Sequence, residues 1–248
     1  MGQEIYPALS GGLRSMRSLD MLANNLANVN TTGFKSDRAA FALEVPESAG
    51  DPGTAAYRLG ASYVTTTETQ TDYSQGTLQS TGNPTDLALL GEGGFFRLAG
   101  EEGSIELTRD GSFAVDTQGM LVAIDGARVI DVEGEPIKVG DAPPVIGADG
   151  TVTVDGEVRG RIAIVDVADR SILEKAGGNR WRVPADTELA EGTAHVRQGE
   201  LEGSNVEPVR ALTELIAITR YYEAFQKSLE SSSDLDEQLS TRVGRVDS

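Results

Sequence analysis

The chain has 248 residues, 39% of them apolar and 5% aromatic, enough to bury a core in one sizeable domain or two small ones. Its 21 basic and 39 acidic residues give a net charge of −18 without a basic stripe to track a phosphate backbone, which argues against nucleic-acid binding. Cysteine is absent and His195 is the single histidine, which excludes disulfides, thiolate catalysis and the usual Cys/His zinc sites.

The first element is a helix predicted from residue 4 to about 28. Leu9, Gly12, Met16, Leu19, Ala23 and Leu26 step by three and four residues and form a narrow apolar seam. Asn24, Asn25, Asn28 and Asn30, followed by Thr31-Thr32-Gly33-Phe34, read as a helix stop with an αL turn. The same amides donate and accept hydrogen bonds, so they also suit bridging to a neighbouring backbone in an assembly. Glu4, Arg14, Arg17 and Asp20 interrupt this segment, so no signal-peptide run is expected. No stretch approaches the roughly 20 apolar residues that span a bilayer, and the expectation is a soluble chain.

Residues 36–62, with Val45-Pro46 and Gly50-Asp51-Pro52-Gly53, read as a linker arm. Tyr63 to Gln79 is rich in threonine and extended. Short strand candidates follow at Gly91–Leu98, Ile105–Leu107, Phe113–Val115 and Leu121–Ile124. They are punctuated by Asp110-Gly111, Gln118-Gly119, Asp125-Gly126, Glu133-Gly134, Asp149-Gly150 and Asp155-Gly156. Val158–Val167 is predicted as the longest, central strand, and Trp181–Val183 and His195–Gly199 complete the β region. At Ser204-Asn205 the pattern returns to a helix, with either residue as N-cap and Pro208 in its first turn, running to about Val243. Leu215, Ile218, Tyr222, Phe225, Leu229 and Leu239 repeat the seam spacing. The predicted fold is therefore mainly β with α-helical termini. Residues 1–35 and 204–248 are helices that pair in an assembly, and 63–203 form a hairpin-rich, barrel-like domain.

No motif of chemistry rises above a structural explanation. Gly91-Glu92-Gly93-Gly94 lacks the Lys-Ser/Thr of a phosphate loop and precedes no helix, so it reads as a bulge or tight turn. His195 has no nucleophile partner in sequence, and most acidic residues sit beside glycine in turns. A secreted β-rich binding module or hydrolase is the alternative, and it would need converging carboxylates in a deep pocket. No catalytic residue, cofactor, metal or small-molecule substrate is expected.

Four blocks, in order, resemble the bacterial flagellar axial proteins, the rod and hook subunits. They are Tyr6 with Ala23–Lys35; Gln75–Ala88 with Gly91–Phe96; Thr108–Phe113 with Gly119-Met120-Leu121; and Leu201-Glu202-Gly203-Ser204-Asn205-Val206 leading into the last helix. Trp181 stands where the resemblance leads us to expect Phe, and the doubled Gly93-Gly94 leaves the local strand register open. The Ile5-Tyr6 start, the short Phe41–Ala61 segment and the Val243-Gly244-Arg245-Val246 ending are most similar to proximal-rod members, with distal-rod members close. The resemblance implies a structural subunit of the rod, in the periplasmic part of the basal body, exported by the flagellar type III apparatus without signal cleavage. Its partners would be other rod subunits. The assembly residues it implies are Leu9, Met16, Leu19, Ala23, Asn24, Asn25, Leu26, Asn28, Gly33, Phe34, Asn205, Leu215, Ile218, Tyr222, Phe225, Leu229 and Leu239.

Overall fold

The computed structural model describes residues 5–44, 63–100, 103–185 and 187–243. Two helices bracket seventeen strands among these residues: α1 is Ile5–Ala27 and α2 is Pro208–Val243. The chain divides into two interleaved units. One contains Met1–Leu26, Asp37–Gln70 and Glu207–Ser248; the other contains Ala27–Ser36 and Thr71–Val206.

In the helical unit, Asp37–Glu44 and Tyr63–Thr71 form a two-stranded sheet. The first of these strands lies in the stretch expected to be an irregular arm. Its Arg-Ala-Ala-Phe-Ala-Leu run has the apolar, partly alternating character of a strand, which Pro46 and the glycines after it had masked. The remainder of the expected arm lies outside the described residues. Asn25 joins helix to strand: its Nδ2 donates to Asp37 O at 2.9 Å and its Oδ1 accepts from Asp37 N at 3.0 Å. One side-chain amide thus copies a backbone pairing, which is how it tolerates burial.

The β unit is built of short antiparallel sheets, and no closed barrel forms among the described residues. The largest sheet orders its strands Glu174–Gly177, Arg180–Arg182, Ile105–Thr108, Phe95–Ala99, Ile164–Asp166 and Ala190–Glu191, with both edges unjoined. The expected long strand Val158–Val167 is in fact two. Glu157–Arg161 edges a three-stranded sheet, while Ile164–Asp166 sits inside the six-stranded one. The break comes after Arg161: Ile162 N still bonds Gly150 O beyond the end of that ladder, and Ala163 N turns to Ile130 O. The apolar run Ile162–Ile164 is buried as expected, but it is buried at a crossing between two sheets. Such a sheet switch and a straight central strand look alike in sequence, because both read as continuous apolar residues.

Adjacent Phe95 and Phe96 project to opposite faces of their strand and feed two cores. Phe96 packs with Leu87, Leu98, Phe113, Leu121 and Ile162, its ring edge-on to Phe113 at 5.2 Å. Phe95 packs with Leu107, Val167, Trp181 and Val183, and its ring lies 5.7 Å from Tyr73 and 5.4 Å from Trp181. Trp181 is therefore a full member of an aromatic cluster. The register left open by Gly93-Gly94 is set by Phe96 opposite both Ile164 and Thr108. Asp155-Gly156 closes its hairpin with both residues left-handed (φ +51° and +83°), the geometry of a type I′ turn. Gly111 is needed for a different reason: a Cβ there would lie 1.7 Å from Leu87 O.

Late strands return to pair with early ones. His195–Gln198 lies beside Leu87–Leu90, and Glu200–Glu202 beside Leu78–Ser80. This closure brings Glu202 next to the segment that follows α1.

Candidate functional site

Within the helical unit α1 and α2 pack against each other. Gly12 is buried against Phe225, since a Cβ on it would lie 2.9 Å from the ring. Leu215, Ile218, Tyr222 and Phe225 are half-buried along α2, and Ala211 is fully buried. On α1 the buried face is offset by about one residue position from the expected seam. Ser15, Leu22 and Asn25 are buried, Leu19 and Leu26 half-buried, and Met16, Ala23 and Asn24 exposed. The 3–4 stepping through Met16 and Ala23 passed over Leu22, although Gly12, Ser15, Leu22 and Asn25 also share one helical face. The side chains of Leu9, Leu229 and Leu239 lie outside those described. After this intrachain pairing α2 still exposes Val209, Leu212, Ile216 and Tyr221, the first by 80%.

The residues after α1 belong to the β unit. Thr31 N and Oγ1 close back on Asn28 O and Oδ1 at 3.1 and 3.2 Å, completing the helix stop. Gly33 (φ +65°) donates its N–H to Glu202 O at 2.7 Å and presses so close that a Cβ would lie 2.3 Å from Asp110 N. Phe34 is buried, with Lys175 Nζ 5.7 Å from its ring centroid, and Asn179 Nδ2 donates to Thr32 O at 2.8 Å. Gly33, Phe34 and Asn205 are thus engaged inside the β unit.

Beneath this turn lies a buried charge cluster. Glu202 is inaccessible; its Oε1 accepts from Lys35 Nζ at 2.5 Å and from Gly76 N at 2.9 Å, and its Oε2 accepts from Arg109 at 3.2 Å. Lys35 Nζ also donates to Ser74 O at 2.7 Å, and Arg109 to Gly91 O at 2.9 Å, with its guanidinium over the Phe95 ring. Burial pushes the Lys35 ammonium below its ordinary pKa, although the Glu202 charge and hydrogen bond pull the other way; Arg109 is lowered for the same reason. Two cations share one hydrogen-bonded anion here, so removing it leaves Lys35 and Arg109 with only the weaker attractions of Asp72 and Asp166 respectively. Sequence reading passed over all three residues. The hint available was that Lys35, Arg109 and Glu202, of types seldom buried, each stand inside one of the resembling blocks.

Neither Ser204 nor Asn205, the two residues expected as N-cap, adjoins α2, and Asn205 does other work. Its Oδ1 accepts from Ser36 N at 2.8 Å, and its Nδ2 donates to Asp72 O at 2.8 Å. The residue flanking α2 is Glu207, whose carbonyl accepts from Ala211 N at 2.9 Å.

None of this resembles a reaction centre. His195 is exposed in a strand opposite Leu90. Asp110, Asp116, Asp125, Asp131 and Asp149 each accept the backbone N–H two residues on, as turn-closing carboxylates do. Among the described residues no His, Cys, Asp and Glu group of three or more is placed to hold a metal. No helix there is long and apolar enough to cross a membrane.

With terminal helices around a β unit, the chain matches three family models of flagellar structural subunits. Residues 6–35 match the family model described as flagella basal body rod protein, residues 88–159 the flagellar hook protein FlgE/F/G D1 domain, and residues 197–242 the flagellar basal body rod FlgEFG protein C-terminal region. The chain is 36% identical over 250 residues to the flagellar basal-body rod protein FlgF of Caulobacter vibrioides, covering 99% of this chain and 100% of that one. It is 33% identical to FlgG of Bacillus subtilis, over 96% and 98% of the two chains. To FlgF of Mesorhizobium japonicum it is 33% identical, over 94% and 96%. The chain belongs to the flagellar basal-body rod protein family, whose members are structural subunits and not enzymes.

Proposed function

We propose that the protein is a proximal-rod subunit of the FlgF type, polymerising through α1 and α2 into the shaft that carries torque from motor to hook. One observation carries the assembly reading: after the helices pair within the chain, Met16 on α1 and Val209, Leu212, Ile216 and Tyr221 on α2 remain exposed. Each large apolar side chain left in water forgoes about 1.5–3 kcal/mol that burial would recover. Val209, Leu212 and Ile216 step by three and four residues, so they form a second stripe separate from the one facing α1. A helix with two stripes suits a subunit that meets its own partner helix on one side and a neighbouring subunit on the other. Repeated head-to-tail contacts of that kind propagate into a helical array.

The FlgF type is supported by 36% identity to one FlgF along its whole length, against 33% for a FlgG; the distal-rod type is the second reading. Export through the flagellar type III apparatus, a periplasmic position and retention of the N-terminus follow from the same reading. Cryo-electron microscopy of isolated rods tests it. The chain is expected in the proximal segment, with α1 and α2 in the inner tube and the exposed Val209, Leu212 and Ile216 stripe buried between subunits. Finding that stripe facing solvent in the filament refutes assembly through the helices, and finding the chain in the distal segment moves it to the FlgG type.

A further inference from the structure

The chain passes between its two units four times, at Leu26/Ala27, Ser36/Asp37, Gln70/Thr71 and Val206/Glu207. Inside the β unit, the segments leading to the last three passages converge. Asn205 Oδ1 accepts from Ser36 N at 2.8 Å; Asn205 Nδ2 donates to Asp72 O at 2.8 Å and lies 3.1 and 3.3 Å from Ser74 Oγ and O. Asp72 N donates to Ser36 O at 2.8 Å, and Asn205 N to Phe34 O at 3.4 Å. Behind them Glu202 takes Lys35 and Gly76 N, while Lys35 also reaches Ser74 O. Residues 33–36, 72–76 and 202–205 are each hydrogen-bonded to both of the others, so the three segments form a closed triangle.

We propose that Asn205, backed by the Glu202 cluster, is a positioning residue: a staple that makes these three segments leave the β unit as one rigid body instead of as independent hinges. The chemistry requires an amide. One end must accept from Ser36 N and the other must donate to the carbonyls of Asp72 and Ser74, and no other uncharged side chain of that length does both. An aspartate has the same shape and keeps the acceptor, but it turns an anion toward two carbonyl oxygens. The staple is a property of the β unit alone. Only its consequence, that twist applied through the helices reaches the β unit without slack, rests on the proposed rod role.

Hydrogen-exchange mass spectrometry on the full chain tests the staple, comparing the parent protein with Asn205→Ala and Asn205→Asp. The parent is expected to protect the peptides holding Gly33 and Ser36, Asp72 and Gly76, and Gly203 and Asn205. Both variants are expected to raise exchange in all three together by about tenfold, the scale of losing one or two net hydrogen bonds, with Asn205→Asp at least as affected as Asn205→Ala. Peptides over Leu121 and Val152 are expected to keep their parent rates. Parent-like exchange in Asn205→Asp overturns the proposal, because shape alone would then suffice. It also falls if the increase is confined to 203–205, or if Trp181 emission shows that either variant unfolds the β unit. These rates are read on the monomer, so a failure to find the chain in the proximal rod leaves them unaffected.

Discussion

Replacing Glu202 by Gln removes one negative charge and leaves Lys35 and Arg109 buried beside a neutral amide. The Gln oxygen in the place of Oε1 can still accept from both Lys35 Nζ and Gly76 N, but its NH2 group then faces Arg109, donor to donor. Removing one partner of a buried ion pair costs about 3–5 kcal/mol, and complete inaccessibility of the Glu202 side chain places this case inside that range. With a urea slope of about 2 kcal/mol per molar for a unit of this size, the midpoint is expected to fall by about 1.5–2.5 M. Trp181 is the single tryptophan and is buried in the aromatic cluster of the β unit, so its emission follows that unit alone. Lys35→Met is expected to cost at most half as much. It gives up the bond to Ser74 O, but it also removes an ammonium that burial already disfavours and leaves Glu202 with Arg109 and Gly76 N. A Glu202→Gln midpoint within about 0.3 M of the parent, or a larger loss in Lys35→Met, refutes the account of the cluster as two cations held by one anion.

Gly33→Ala is expected to destabilise the β unit by about 2–4 kcal/mol, since φ is +65° and the new Cβ meets the Asp110 backbone. Gly126→Ala, also left-handed but facing open space, is expected to cost about 1 kcal/mol in the same denaturation assay. Gly12→Leu is expected to push the Phe225 ring away and separate α1 from α2. Trypsin cleavage at Arg14 and Arg17 and at Arg220 and Lys227 then accelerates together, whereas cleavage confined to one helix refutes their pairing in the monomer. Burial pushes the Asp166 carboxyl up, but hydrogen bonds from Arg170 and from Val167 N, with the charges of Arg170 and Arg109, outweigh it and hold the pKa below the ordinary 3.8. The contribution of a depressed carboxylate is complete above its unfolded value and is lost as the pH falls through its folded one. The midpoint of Asp166→Asn is therefore expected to fall less steeply than the parent's below pH 3.8, and parallel declines would remove Asp166 from the acid response.

Features governed by short-range chemistry were legible in the sequence. The bounds of α1 and α2 follow from the Asn-rich stop before Gly33 and from Pro208, and the hairpin at Asp155-Gly156 follows from its turn residues. That each helix carries one apolar face was legible in outline, because apolar spacing reports a buried face; that α1 and α2 of one chain cover each other at Gly12 and Phe225 was not, since the expectation was pairing in an assembly. Nor was it legible which residues lead on that face: Leu22 lies about one position round from Met16, and a 3–4 pattern tolerates either choice. The family, too, was readable, from the resemblance of four ordered blocks.

What the tertiary structure decided is everything that depends on segments far apart in the chain. Residues 35, 109 and 202 become neighbours only when Glu200–Glu202 pairs with Leu78–Ser80, so no local pattern announces the charge cluster. The division of Val158–Val167 between two sheets rests likewise on carbonyls supplied by Ile130 and Gly150. Asn205 shows the same limit in one residue. Next to a helix start its amide reads as a cap, because local rules offer it only local partners; the folded chain brings Ser36 and Asp72 within reach, and those bonds win.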